Sequence, residues 1–165
     1  MLAAVILLVG LVAVDAFGYG IHRLLHCTWA GPLYVAHMAH HLELYPPGDF
    51  SSETYRGAGG RSTVLLFLPF ALAAAGLAFW ALPAWLAAGL CFEMAAAGWL
   101  NDRMHDSFHI ARHPFGRWAW YRRLRRMHRV HHEAMGYNFG IVSFAWDRVV
   151  GTLRAVPPPG AGSPA

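Results

Sequence analysis

Between Ser62 and Phe92 the chain reads STVLLFLPFALAAAGLAFWALPAWLAAGLCF, without one charged residue. A membrane-crossing helix needs about 20 residues, so this run is too long for one crossing and nearly long enough for two. Leu82-Pro83 near its middle marks a tight turn, because proline cannot continue a helix. The run therefore divides into a span over 63–81 and a second over 83–100, the latter carrying Glu93. Upstream, Leu2 to Ile21 is apolar except for Asp15 and makes a first span. A cleaved signal sequence is disfavoured there, since no basic segment precedes the apolar run and no small-residue cleavage site follows it. Three spans put residues 22–61 and 102–165 on one side of the bilayer. A single long span would instead put them on opposite sides.

The charges test this division. All 13 basic residues are arginine, and all fall within those two segments. Arginine collects on the cytoplasmic side of membranes, so both polar segments are expected in the cytoplasm, with the bacterial inner membrane preferred and the endoplasmic reticulum as the alternative. The composition of the 165 residues agrees: 56% are hydrophobic and 13% charged, and the mean hydropathy is +0.34. The usual charged share is about 25%. These values exclude a disordered chain and point away from a soluble enzyme. The pI near 9.5 comes from arginines that flank apolar stretches, which argues against a nucleic-acid module. Cys27 and Cys91 have no CxxC spacing and support neither a disulfide framework nor a thiolate metal site. The expected fold is all-α, a single membrane-embedded domain over 1–155 with helices at the membrane surface. A proline- and glycine-rich tail over 156–165 is expected to be disordered and without catalytic role.

Histidine is the residue that composition singles out, with 11 copies against 9 acidic residues. Ten of the 11 fall in four clusters: His22 with His26, His37 with His40 and His41, His105 with His109, and His128 with His131 and His132. Two are HxxxH and two are HxxHH. Composition alone would give roughly 0.05 HxxHH matches in a chain of this length, and two are present. Helical spacings of three and four turn such side chains to one face. Desolvated imidazoles packed together are costly unless a metal binds the neutral rings. Ten ligands exceed the needs of one four-coordinate zinc and suit two metals with about four or five nitrogens each. Imidazole accepts zinc, copper, iron and nickel, so spacing leaves the element open.

The four clusters resemble, in order and type, the histidine boxes of the integral-membrane fatty acid hydroxylase and sterol desaturase superfamily. The similarity runs from His22 to Thr152. It includes Arg23-Leu24-Leu25, Tyr45-Pro46-Pro47, Asn138-Phe139-Gly140, Trp146-Asp147-Arg148 and Gly151-Thr152. The HxxxH spacing of His22 and His26 is that of sterol-type members. The resemblance implies two non-haem iron ions held by His22, His26, His37, His40, His41, His105, His109, His128, His131 and His132. It further implies dioxygen as co-substrate, a lipid drawn from the bilayer, and hydroxylation or desaturation of a C–H bond. A separate electron donor, whether ferredoxin, cytochrome or reductase, would supply two electrons. A carotenoid hydroxylase is the alternative within this chemistry. A zinc-dependent membrane hydrolase or a metal-handling protein is the alternative outside it.

Further candidates surround the boxes. Asp15 lies two helical turns before His22 on the same face, about 10 Å deeper, and an ionisable group there is a functional candidate. Asp102 and Asp106 share a stripe with His105 and His109 and could orient a ligand imidazole. Asn138 is a further candidate for contact with the site. His113 precedes Pro114, where helical geometry is disfavoured, and stands outside the regular boxes. Glu93 is about 120° around a helix from His105 and is not expected to reach a metal. Arg122, Arg125, Arg126 and Arg129 form one helical face. Lipid head groups are their preferred partners, and an acidic electron carrier is the alternative.

Overall fold

The structure, a computed structural model, describes residues 2–57 and 63–154, and the expected tail over 156–165 lies outside them. Six α-helices are present among these residues: α1 (Leu2–Leu25), α2 (Pro32–Ala39), α3 (Thr63–Ala81), α4 (Ala84–Phe108), α5 (Ala119–Glu133) and α6 (Ala145–Val150). Short 3-10 turns cover Thr28–Ala30 and Pro114–Arg117, and α2 runs on into a π-helical turn over His40–Leu44. Extended pairing among the described residues is confined to one parallel bridge, Ser52 with Ile110.

The turn at Leu82-Pro83 falls where the sequence places it. Pro83 has extended ψ and caps α4, its carbonyl accepting from the Leu86 and Ala87 amides at 2.9 and 3.0 Å. α3 and α4 thereby form a hairpin, and α4 also packs along α1. At that crossing Gly10 faces Leu90 and the buried Glu93, whose Oε2 occupies the space a Cβ at position 10 would need. By length and composition α1 can cross a membrane through Leu8–Leu25. Leu8, Val9, Val12, Leu72, Trp80, Trp85 and Phe92 are exposed along these helices. That apolar surface far exceeds what water tolerates on a monomer.

α4 runs on as one helix to Phe108, so His105 stands on its last turns. α1 likewise carries His22 to its end before Gly31, at φ 60, reverses the chain into α2. α5 is amphipathic: Tyr121, Met127, His128, His131 and His132 are buried, and Arg122, Arg123 and Arg129 are exposed. Phe50, Met104, Phe108 and Tyr121 form one apolar cluster beneath α5, and Ile21 with Leu25 forms another against α2 and α3. Between them the centre of the molecule is polar. His40, His41, His109, His128, His131 and His132 are among its most deeply buried side chains.

Candidate metal centre

Burying this many imidazoles is costly unless their nitrogens are satisfied, and their arrangement shows how that is met. The donor atoms gather in two sets. His22, His26, His37, His41 and His131 form the first; His40, His105, His109, His128 and His132 form the second, and within each set all five donor atoms lie within 4.8 Å of one another. Nitrogens about 2.1 Å from a common ion are at most about 4.2 Å apart, so each set is close to the size of one coordination sphere. The sets adjoin, with the His41 and His132 ring centroids 4.1 Å apart. All ten box histidines are thus brought together, five and five, whereas His113 is not. It stacks on Tyr121 and accepts a hydrogen bond from the Phe115 amide.

Each HxxHH box is divided between the sets. His37 and His41 enter the first and His40 the second; His128 and His132 enter the second and His131 the first. Helical geometry is consistent with this. Residues i and i+4 differ by about 40° around the axis, while i+3 and i+4 differ by about 100°, so adjacent histidines face different ions. The expectation that each cluster turns all its imidazoles to one face is therefore corrected for the two HxxHH boxes, whose adjacent histidines diverge.

Backbone carbonyls aim the rings. His131 Nδ1 meets the Tyr137 carbonyl at 2.7 Å, His109 Nδ1 the Phe50 carbonyl at 2.8 Å and His132 Nδ1 the Tyr45 carbonyl at 3.0 Å. His40 Nδ1 meets Gly57 at 3.3 Å, and His22 Nδ1 meets Phe139. Protonating Nδ1 in this way leaves Nε2 with its lone pair toward the centre. The Nε2 atoms of His40 and His132 are buried there without a hydrogen-bond partner, as a metal ligand would be. Burial, reinforced by neighbouring imidazoles, holds His37, His40, His41, His109, His128 and His131 well below the ordinary histidine range. Burial likewise lowers His132 to about 3. These seven rings are therefore neutral and able to coordinate at neutral pH, and two closed sets of five imidazole nitrogens fit two metal ions.

The aiming carbonyls are themselves fixed. The fully buried Asp147 accepts from the Phe139 and Gly140 amides, both at 2.8 Å, and from Thr152 Oγ1 at 2.7 Å. Asn138 takes φ 55, a left-handed conformation that asparagine tolerates, and its side chain bonds the Met127 and Arg154 carbonyls and the Arg154 amide. A Cβ at Gly140 would collide with the Ser143 carbonyl. Sequence reasoning placed Asn138 near the site and quoted Asp147 only within a motif; its hydrogen-bonded role appears with the tertiary structure. Tyr45 was likewise quoted only within a motif, and Phe50 and Tyr137 were missed, because carbonyl acceptors have no residue-type signature.

The chain's sequence matches the family model described as fatty acid hydroxylase over residues 7–152, nearly its whole length. The chain belongs to the fatty acid hydroxylase family. No curated protein and no solved structure matched it. The family resemblance read from the boxes is therefore upheld, and the two histidine sets are able to hold the metal on which fatty acid hydroxylases generally depend. The family comprises membrane-associated oxidoreductases that hydroxylate or desaturate lipids.

The remaining candidates have defined places. An apolar cavity of about 410 Å³ lies between α1, α3 and α4 and reaches His22, His37 and His105. Asp15, half-buried, lines it two turns from His22. Asp102 and Asp106 are joined by Arg103, at 2.5 and 3.2 Å, and Asp106 Oδ1 is 3.7 Å from His105 Nδ1. Arg122 bonds the Gly116 and Arg117 carbonyls, at 3.0 and 2.7 Å, whereas Arg125, Arg126 and Arg129 line a separate surface concavity of about 360 Å³.

Proposed function

We propose that this fatty acid hydroxylase family member is an integral-membrane di-iron oxygenase that hydroxylates or desaturates an unactivated C–H bond of a bilayer lipid. Dioxygen is its co-substrate, and a separate donor supplies electrons. The observation that carries this reading is the meeting of two five-imidazole sets with an apolar cavity open between the apolar helices. Iron bound by the two sets would supply the activation of dioxygen. Hydroxylation then balances as R–H, dioxygen, two electrons and two protons giving R–OH and water.

The residues of the chain do the rest. Phe17, Met94 and Phe139 line the cavity and hold a hydrocarbon chain away from water. His22, His37 and His105 end it, so the length of cavity below them sets which carbon reaches the centre. The Phe139, Tyr137, Phe50, Tyr45 and Gly57 carbonyls keep five imidazoles in the coordinating tautomer. α1, α3 and α4 serve as three spans with the histidines on the cytoplasmic side, a placement supported by the confinement of all 13 arginines to the two polar segments.

The test measures metal content and oxygen incorporation together. The purified chain is expected to carry two irons, and cells expressing it under labelled dioxygen to yield a labelled hydroxylipid, or an unsaturated lipid with the label in water. Tightly held zinc with no oxygen-dependent change in the lipid profile would overturn the proposal and favour a hydrolase.

A further inference from the structure

The concavity at Arg125, Arg126 and Arg129 lies away from the lipid cavity. Its rim includes Ala111, beyond the end of α4. From Leu100, the last exposed large apolar residue on α4, the helix rises about 12 Å to Phe108. The concavity thus stands above the apolar belt and past the level of His105. Its floor is Phe50, buried at 8% exposure. The Phe50 ring lies 4.7 Å from that of His109 and 5.2 Å from that of His132. Its carbonyl binds His109 Nδ1, and the Arg125 guanidinium sits 5.9 Å over the ring. One residue therefore separates a cationic surface from the second imidazole set.

The charge of this surface is available to a partner. Asp49 on the rim is offset by Arg56 at 2.6 Å and Glu133 offsets Arg129 at 2.8 Å, which leaves Arg125 and Arg126 as the excess positive charge of the concavity. Arg126 makes no hydrogen bond or ion pair among the described residues, and Arg123 is exposed on the same helix. Guanidinium forks match carboxylates in pairs, and a concavity of net positive charge steers an oppositely charged protein toward it. We propose that this concavity docks an acidic one-electron carrier protein, with Phe50 as the contact between the docked carrier and the second imidazole set.

The inference rests on the oxygenase reading, since dioxygen takes four electrons and the substrate C–H chemistry supplies only two of them. Each encounter passes one electron as the carrier goes from reduced to oxidised. Two encounters and two protons, with the two electrons given up by the oxidised substrate, complete the four-electron reduction of dioxygen, one C–H bond becoming C–OH with one water formed or, in desaturation, two C–H bonds giving a C=C bond and two waters. Electron tunnelling falls steeply with separation, so a carrier held over Phe50 is better placed than one touching any other face of α5.

The experiment places the full chain in nanodiscs of phosphatidylcholine and measures binding of a plant-type ferredoxin, which is acidic, with the basic cytochrome c as control. Ferredoxin is expected to bind and cytochrome c not to bind. Raising salt from 50 to 300 mM should weaken ferredoxin about tenfold, and R126E with R129E should do the same at low salt. Salt dependence is read on the unaltered chain, so the proposal is tested even if the double variant folds poorly. Salt-independent binding, or equal binding by the charge-reversed chain, would overturn it. So would absent ferredoxin binding together with loss of co-purified phosphatidylglycerol in R126E/R129E, which would assign the arginines to lipid head groups. Binding requires neither iron nor turnover. Failure here with labelled hydroxylipid still formed would refute the docking site alone, and binding without oxygen-dependent product would refute the oxygenase reading alone.

Discussion

The two imidazole sets have the same number of donors but are held from different sides. The first set is aimed by the 137–139 segment, whose carbonyls meet His131 and His22 and which Asp147 and Asn138 fix in place. The second is aimed by the 45–57 segment, through the Tyr45, Phe50 and Gly57 carbonyls. That segment is tied down by the Ser52 amide to the His109 carbonyl and by Arg56 to Asp49. Burial differs too: His26 in the first set is half-buried, while all five rings of the second are buried. A centre that looks symmetric in its ligands therefore depends on two loops distant in sequence, and each loop should be separable by mutation.

The largest effect is expected from removing one ring of each set. His131→Ala and His40→Ala should each abolish oxygen-dependent product formation while metal analysis falls from two ions to about one per chain. Loss of both ions from either variant would break the comparison and show that the sets assemble only together. Next comes Asp147→Ala, which strands the Phe139 and Gly140 amides and Thr152 Oγ1. Removing a buried, fully bonded carboxylate should cost about 3 kcal/mol or more, read as a lower melting temperature in detergent. The residual metal should sit in the second set, so that adding His40→Ala to Asp147→Ala removes most of what remains.

The smallest effect concerns pH. In the metal-free chain the unfolded state takes up protons near 6.5, whereas folded His132 does so only near 3. Stability should thus fall as pH drops through that window, by linkage. His41, from the first set, is also held well below the ordinary range by burial. His41→Gln and His132→Gln should each flatten the decline of melting temperature between pH 7 and 5. Flattening by one variant only would sharpen the contrast between the sets.

Much of this was present in the sequence. Pro83 marked the hairpin because proline lacks the amide a continuing helix needs, and the box spacing marked the ligands because helical periodicity is local. The division of each HxxHH box came only with the structure, because spacings of three and four suggest one face although adjacent helical residues diverge by about 100°. The roles of Asp15 on the cavity wall and Glu93 against Gly10 were open until the helices were packed. The four arginines treated as one face proved to be Arg122 on carbonyls and three others around a concavity.

By itself the sequence determined the apolar helices, the number of candidate imidazoles and the family, since these follow from composition and short-range periodicity. Tertiary structure alone decided which five rings share a set, which carbonyls aim them, and which surface lies nearest the second set. Those depend on contacts between residues as far apart as His22 and Phe139, and no local pattern specifies a partner that only chain packing brings within reach.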